Sequence, residues 1–126
     1  MKIDQKTKLA EIQIAFNGQF PYLRVEFYKR PHEPGEATAD REKLNLDLTL
    51  EEIAKSKWDN ALKFDRSMTI SEFEAMMHDD FGLNVQVFRR SGNLWLQTTV
   101  TDNWSLDVAN TKGGRSEELF EEQRLE

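Results

Sequence analysis

Two stretches of this chain, about sixty positions apart, are written in one pattern, and a fold that satisfies one must satisfy the other. Shifted by 61 positions, Lys2-Ile3-Asp4 falls on Lys63-Phe64-Asp65, and Leu9, Glu11, Ile12, Phe16 and Phe20 fall on Ile70, Glu72, Phe73, Met77 and Phe81. One extra residue near Pro21-Tyr22 changes the offset to 60, after which Leu23, Val25, Phe27, Tyr28, Lys29 and Arg30 match Leu83, Val85, Val87, Phe88, Arg89 and Arg90. Self-similarity at a fixed spacing is the signature of a repeated supersecondary unit. Apolar residues at helical spacing predict a helix in each copy, and the alternation on either side predicts strands.

The helix limits have chemical reasons. Thr69 and Glu72 form a capping box, whereas Thr7 or Lys8 starts the first helix less well. Pro21 cannot continue a helix, and Gly82 can take the left-handed conformation that closes one. Beyond the second strand the copies diverge. Arg90-Ser91-Gly92-Asn93 is a tight turn returning residues 94–100 as a strand; residues 31–43 form a long loop before Leu44, Leu46, Leu48 and Leu50 alternate. Each return meets a short helical signal, Thr49-Leu50-Glu51-Glu52 in one copy and Ser105-Leu106-Asp107-Val108 in the other. The expected class is α+β: a duplicated βαββ unit with a pseudo-twofold, whose strand-helix-parallel strand crossovers give a mixed sheet with two main helices on one face. Residues 1–112 are expected to form a single domain, with repeat 1 over residues 1–56 and repeat 2 over residues 60–112. Lys112-Gly113-Gly114 reads as a breaker, leaving residues 113–126 as a charged tail, flexible or helical.

At 126 residues one core is expected. With no cysteine, disulfides, thiolate nucleophiles and Cys-ligated metals are excluded. No apolar run has the length to cross a bilayer, and none opens the chain in the manner of an export signal, so the expectation is cytoplasmic. The net charge of −6 argues against indiscriminate nucleic-acid binding. No phosphate-cradling glycine loop, serine elbow or His-Glu-x-x-His pattern occurs, so no catalytic residue and no cofactor are expected. A metal site built from His32, Glu33, Glu36 and Asp40 needs a Pro-Gly loop to converge, and His78 beside Asp79-Asp80 reads as a solvated residue at a helix end.

Hairpin parity locates the candidate binding residues. A turn centred on Ser91-Gly92 pairs Phe88 with Trp95, Gln86 with Gln97 and Val87 with Leu96. Helices covering the Val85, Val87 and Leu96 side leave Phe88 and Trp95 on the opposite side, joined by Tyr28. Aromatic rings on an otherwise polar sheet face read as a docking surface for a protein partner or a second copy. The competing reading has Trp58, Trp104 or Leu119-Phe120 folded over them. Lys29, Arg30, Arg89 and Arg90 at strand ends add cations to the same rings, the composition of a platform for RNA or single-stranded DNA.

The Phe-Pro-Tyr-Leu-Arg-Val-Glu-Phe-Tyr run at residues 20–28 and the Phe-Gly-Leu-Asn-Val-Gln-Val-Phe-Arg-Arg-Ser-Gly-Asn-Leu-Trp-Leu-Gln-Thr-Thr run at residues 81–99 resemble a group of small uncharacterised bacterial proteins of the Bacteroidota. The resemblance implies a bacterial, cytosolic, stand-alone protein and carries no activity. The expected function is a non-enzymatic module for protein-protein interaction, with Tyr28, Lys29, Arg30, Phe88, Arg89, Arg90 and Trp95 as its binding residues.

Overall fold

The computed structural model describes residues 1–31, 42–53 and 61–125. Helical spacing becomes helix at α1 (Leu9–Gln19), which buries Leu9, Ile12 and Phe16, and again further along the chain at Ile70–Phe81, which buries Ile70, Phe73, Met77 and Phe81. The full order is α1, β1 (Leu23–Tyr28), α2 (Leu50–Ile53), α3 (Ile70–Phe81), β2 (Asn84–Ser91), β3 (Leu94–Gln97) and α4 (Leu106–Leu125). Among the described residues this is an α+β fold of four helices and one antiparallel sheet in the order β1-β2-β3.

The expected mixed sheet does not form among these residues. Lys2 bridges Ala61 antiparallel, and Leu62 N donates to Met1 O at 2.7 Å, so the two leading segments meet each other instead of lying parallel to β1 and β2. The segment from Leu44 to Leu48 is not a strand either, and its carbonyls explain why. Leu9 N donates to Leu48 O at 3.0 Å and Ala10 N to Leu46 O at 2.9 Å, which satisfies the first orphan donors of α1. In return, Leu50 N and Glu51 N at the start of α2 donate to Thr7 O and Gln5 O, both at 3.0 Å. The helix starts α3 and α4 exchange bonds in the same manner. Ile70 N and Ser71 N donate to Trp104 O and Asp102 O, while Leu106 N and Asp107 N donate to Met68 O and Arg66 O.

Side chains complete these starts. The capping box on α3 is whole: Glu72 N donates to Thr69 Oγ1 at 3.0 Å, and Thr69 N to Glu72 Oε1 at 3.3 Å. On α2 only one arm forms, Thr49 N to Glu52 Oε2 at 2.8 Å, and Thr49 Oγ1 has no hydrogen-bond partner among the described residues. Lys8 offers α1 no acceptor, but its N–H reaches Glu11 Oε2 at 2.7 Å. Ahead of α3, the Ser67 hydroxyl at 2.7 Å and the Ser67 N–H at 2.9 Å hold the Asp65 carboxyl below its ordinary value of 3.8. The stability it lends to that turn is complete above 3.8 and fades as pH falls through the lowered value.

The core lies between the helices and the odd-numbered face of β1 and β2. Leu23, Val25, Phe27, Val85 and Val87 join the buried residues of α1 and α3 in one cluster. Phe16 stacks on Phe73 with centroids 5.1 Å apart, and Phe64 meets Phe16 edge-on at 5.4 Å. Such ring pairs add roughly 0.5–1.5 kcal/mol beyond burial. Gln13 Nε2 donates to Val25 O at 2.8 Å, and Val87 N donates to Glu74 Oε2 at 3.0 Å, so α1 and α3 each tie one side chain to the strand beneath.

The hairpin turn falls one residue later than parity predicts. Ser91 pairs with Leu94 and Arg90 with Trp95, so Gly92-Asn93 is the loop and Phe88 stands opposite Gln97. Gly92 takes φ 61 at the first central position, where a Ser91-Gly92 loop would place serine. Only glycine enters that region cheaply, and this decides the register.

Helix α4 runs without interruption through Gly113 and Gly114, which the sequence reads as a breaker. Close approach explains both glycines. A Cβ on Gly113 would stand 3.0 Å from the Tyr22 Cβ and from its carbonyl oxygen, and one on Gly114 would stand 2.9 Å from the Tyr22 ring. Asn110 Oδ1, accepting from Tyr22 N at 2.8 Å, fixes the same contact. Glycine-to-alanine changes should therefore have opposite signs at two helical sites. A Cβ at Gly18 in α1 meets nothing within 4 Å, so Gly18→Ala should stabilise by up to about 1 kcal/mol through helix propensity. Gly113→Ala should destabilise by about 1 kcal/mol or more, because the Tyr22 backbone must shift. Urea denaturation of the two variants checks the pair.

Candidate functional site

The even-numbered face of the sheet carries the polar and aromatic residues. The register sets Arg24 opposite Phe88, Glu26 opposite Gln86 and Tyr28 opposite Asn84. Strand alternation puts all six on one side. This face is not an open aromatic platform. Tyr28 is 1% exposed and Phe88 8%, and Trp95 is half-buried.

A cavity of about 210 Å³ opens on this face, lined by Arg24, Glu26, Lys43, Phe88 and Trp95. Its least expected member is Glu26, a carboxylate only 4% exposed. Arg24 Nε lies 2.8 Å from Glu26 Oε1, and Gln13 Nε2 donates to the same oxygen at 3.3 Å. Beside it, Gln86 is 1% exposed; its Nε2 donates to Val87 O at 3.1 Å, while its Oε1 has no hydrogen-bond partner among the described residues. Cations sit against both rings, with Lys43 Nζ 5.1 Å from the Phe88 centroid and the Arg90 guanidinium 5.3 Å from that of Trp95.

The antiparallel register separates the expected basic residues. Arg89 lies opposite Leu23, at the start of β1, whereas Lys29 and Arg30 follow its last residue, Tyr28. Six residues of strand, about 20 Å, separate the two pairs. Lys29 and Arg30 are exposed. Arg89 lies over Trp104 at 5.4 Å, and Arg90 Nε pairs with Glu117 Oε2 at 2.9 Å. Ser116 adds two bonds, accepting from Gly92 N at 3.2 Å and donating to Arg90 O at 3.0 Å, so α4 is seated on the β2–β3 hairpin. Tyr28 belongs to a different hollow of about 230 Å³, with Lys29, Leu44, Ile53 and Asn84. Phe88, Arg90 and Trp95 are thus brought together; Tyr28, Lys29 and Arg30 are not brought to them.

Sequence reasoning sets Arg24 and Glu26 beside Tyr28 on this face without counting them as binding residues, and it missed Lys43. The signal available for Glu26 was a charged residue at the centre of an apolar strand, Val25-Glu26-Phe27. His32, Glu33, Glu36, Asp40 and Trp58 lie outside the described residues. His78 is exposed, 3.1 Å from Asp79. Among the described residues no group of three or more His, Cys, Asp or Glu could hold a metal ion, and no helix is long and apolar enough to cross a membrane. Comparison with family models, curated proteins and solved structures returned no match to this chain.

The Arg24–Glu26 pair has unequal members, since Arg24 is half-exposed and Glu26 buried. Arg24→Ala should cost about 1–2 kcal/mol, discounted for that exposure, because it leaves a buried carboxylate without its cation. Glu26→Gln should cost less than about 1 kcal/mol, and adding it to Arg24→Ala should recover part of the loss. A double-mutant cycle by thermal unfolding measures the coupling.

Proposed function

We propose that this protein is a non-enzymatic cytoplasmic module that binds another protein chain along the β3 edge of its sheet. The observation that carries the reading is the exposure of Leu94 (60%) and Leu96 (46%) on a strand that pairs only with β2 among the described residues. Edge strands are normally blunted by lysine, proline or a bulge, and Leu94-Trp95-Leu96-Gln97 has none of these. An apolar edge of this kind suits the addition of a partner strand, with Leu94 and Leu96 on one face of the new sheet and Trp95 on the other. Val100 and Leu119 are further exposed apolar residues of the same half of the chain.

Internal duplication belongs to the same proposal. It is supported by a coincidence of register and sequence. Glu26 and Gln86 occupy the same place at the offset of 60, and they are also direct cross-strand partners, so exchanging the copies leaves the β1–β2 register unchanged. The bridges Lys8 to Thr49 and Thr69 to Ser105, each joining two helix starts, support it as well. A second reading, single-stranded nucleic acid on Phe88 and Trp95, is favoured by the cations over those rings and opposed by the pairing of Arg90 with Glu117.

A photo-reactive residue at position 94 should crosslink to one discrete protein in bacterial cells, and the same residue at Ile14, exposed at 71% on α1, should not. Leu96→Lys should abolish the crosslink. If neither a crosslink nor self-association in sedimentation equilibrium is seen, the β3 reading is abandoned. Binding of a labelled oligouridylate that falls steeply with salt would favour the nucleic-acid reading instead.

A further inference from the structure

Resting on the β3 reading above, we infer that the partner at this edge is a second copy of the same chain, paired antiparallel about a twofold axis through Trp95. Residues 93–97, Asn-Leu-Trp-Leu-Gln, read alike from either end: carboxamide, leucine, tryptophan, leucine, carboxamide. A strand that meets itself across a twofold normal to the sheet must place one residue on the axis, because the rotation keeps each face on its own side and neighbouring residues point to opposite faces. With Trp95 on the axis, Leu94 of each copy stands opposite Leu96 of the other, so the two leucines exposed at 60% and 46% cover each other. Moving the axis to Leu96 would oppose Leu94 to Thr98, which is only 2% exposed, and moving it to Leu94 would oppose Leu96 to Gly92 in the turn.

The backbone selects the same axis. Gly92-Asn93 is a two-residue loop closed by the hydrogen-bonded pair of Ser91 and Leu94, so the next pair, Arg90 with Trp95, is the non-hydrogen-bonded one. Arg90 N donates instead to Tyr22 O at 3.0 Å, on the β1 side. The N–H and C=O of Trp95 accordingly point away from β2, and β3 pairs with no other strand among the described residues. On the axis they exchange two N–H to O=C bonds with Trp95 of the second copy. Charge favours a copy over an unlike partner. Residues 91–101 carry no charged side chain in a chain that is 32% charged, and the neighbouring Arg90 is neutralised by Glu117 at 2.9 Å. Two molecules of net charge −6 repel each other, and an uncharged seam is where that repulsion is least.

Sedimentation equilibrium of the full chain, at concentrations up to on the order of 100 μM, is expected to give a dimer. Trp95→Lys, which sets like charges together on the axis, should weaken dimerisation roughly tenfold or more, whereas Ile14→Lys on α1 should not change it. Disulfide trapping reads the register, since the chain has no cysteine of its own. An equimolar mixture of Leu94→Cys and Leu96→Cys, one of them tagged, should oxidise to the mixed disulfide faster than either variant alone forms its own. Opposed residues lie about 4.5 Å apart between Cα atoms and diagonal ones roughly 7–8 Å, and only the first suits a disulfide. Both leucines are exposed, so these variants keep the test decisive if Trp95→Lys unfolds, and thermal melting verifies the folding of each. The inference is overturned if the natural chain is monomeric, if folded Trp95→Lys dimerises as the natural chain does, or if the mixture shows no preference for the mixed disulfide. A monomer that still crosslinks from position 94 to a different protein removes the second copy and keeps the β3 reading; a monomer without that crosslink removes both.

Discussion

The first backbone N–H groups of a helix have no partner within it, and in this protein each main helix start is satisfied by the stretch of chain leading into another helix. α1 takes carbonyls from Leu46 and Leu48, α2 takes them from Gln5 and Thr7, and α3 and α4 repeat the exchange. The arrangement sets the positive ends of two helix dipoles side by side. Glu11, Glu51, Glu52, Glu72 and Asp107, all in first turns, offset that repulsion. Because these bonds are backbone to backbone, they fix where each helix begins irrespective of the side chains above it. The helices can then present Phe16 and Phe73 to each other over the sheet.

The sheet contributes a second constraint. Antiparallel pairing of β1 with β2 puts the odd-numbered residues into the core and gathers Arg24, Glu26, Gln86 and Phe88 on the reverse side. Burying a carboxylate there is unfavourable unless it is paired, and the half-exposed Arg24 pairs with it at 2.8 Å. The polar reverse face, the cations over its rings and the cavity are consequences of a register that the apolar face dictates.

Much of this was legible in the residues. Thr69, Glu72 and Gly82 delimit α3 because caps act locally, and the alternation of Val85 and Val87 marks β2 for the same reason. What failed was whatever depends on a distant partner. Leu44, Leu46 and Leu48 alternate as a strand would, yet an extended segment that caps a helix has the same period, and only the helix start opposite distinguishes the two. Gly113-Gly114 is a breaker by propensity and a contact surface by virtue of Tyr22, which lies more than ninety positions away. Lys29-Arg30 and Arg89-Arg90 hold matching places in two similar stretches of sequence, but a match in sequence is not proximity, and antiparallel pairing sends them to opposite ends. The burial of Glu26 and Gln86 was likewise invisible, since alternation assigns polar residues to a face without saying whether that face is wet.

The pairing of β1 with β2 also sets a clock. Tyr28 and Asn84, the cross-strand partners nearest in sequence, are 56 positions apart, so β1 leaves the ribosome long before its partner exists. At about 5–20 residues per second, roughly 3–11 s of synthesis pass with Val25 and Phe27 lacking the strand that holds them against the core. The exchange between Lys8 and Thr49 closes earlier and can keep α1 beside the chain it caps during that interval. Slower translation between residues 28 and 84 prolongs the exposure of an unpaired apolar strand to its neighbours.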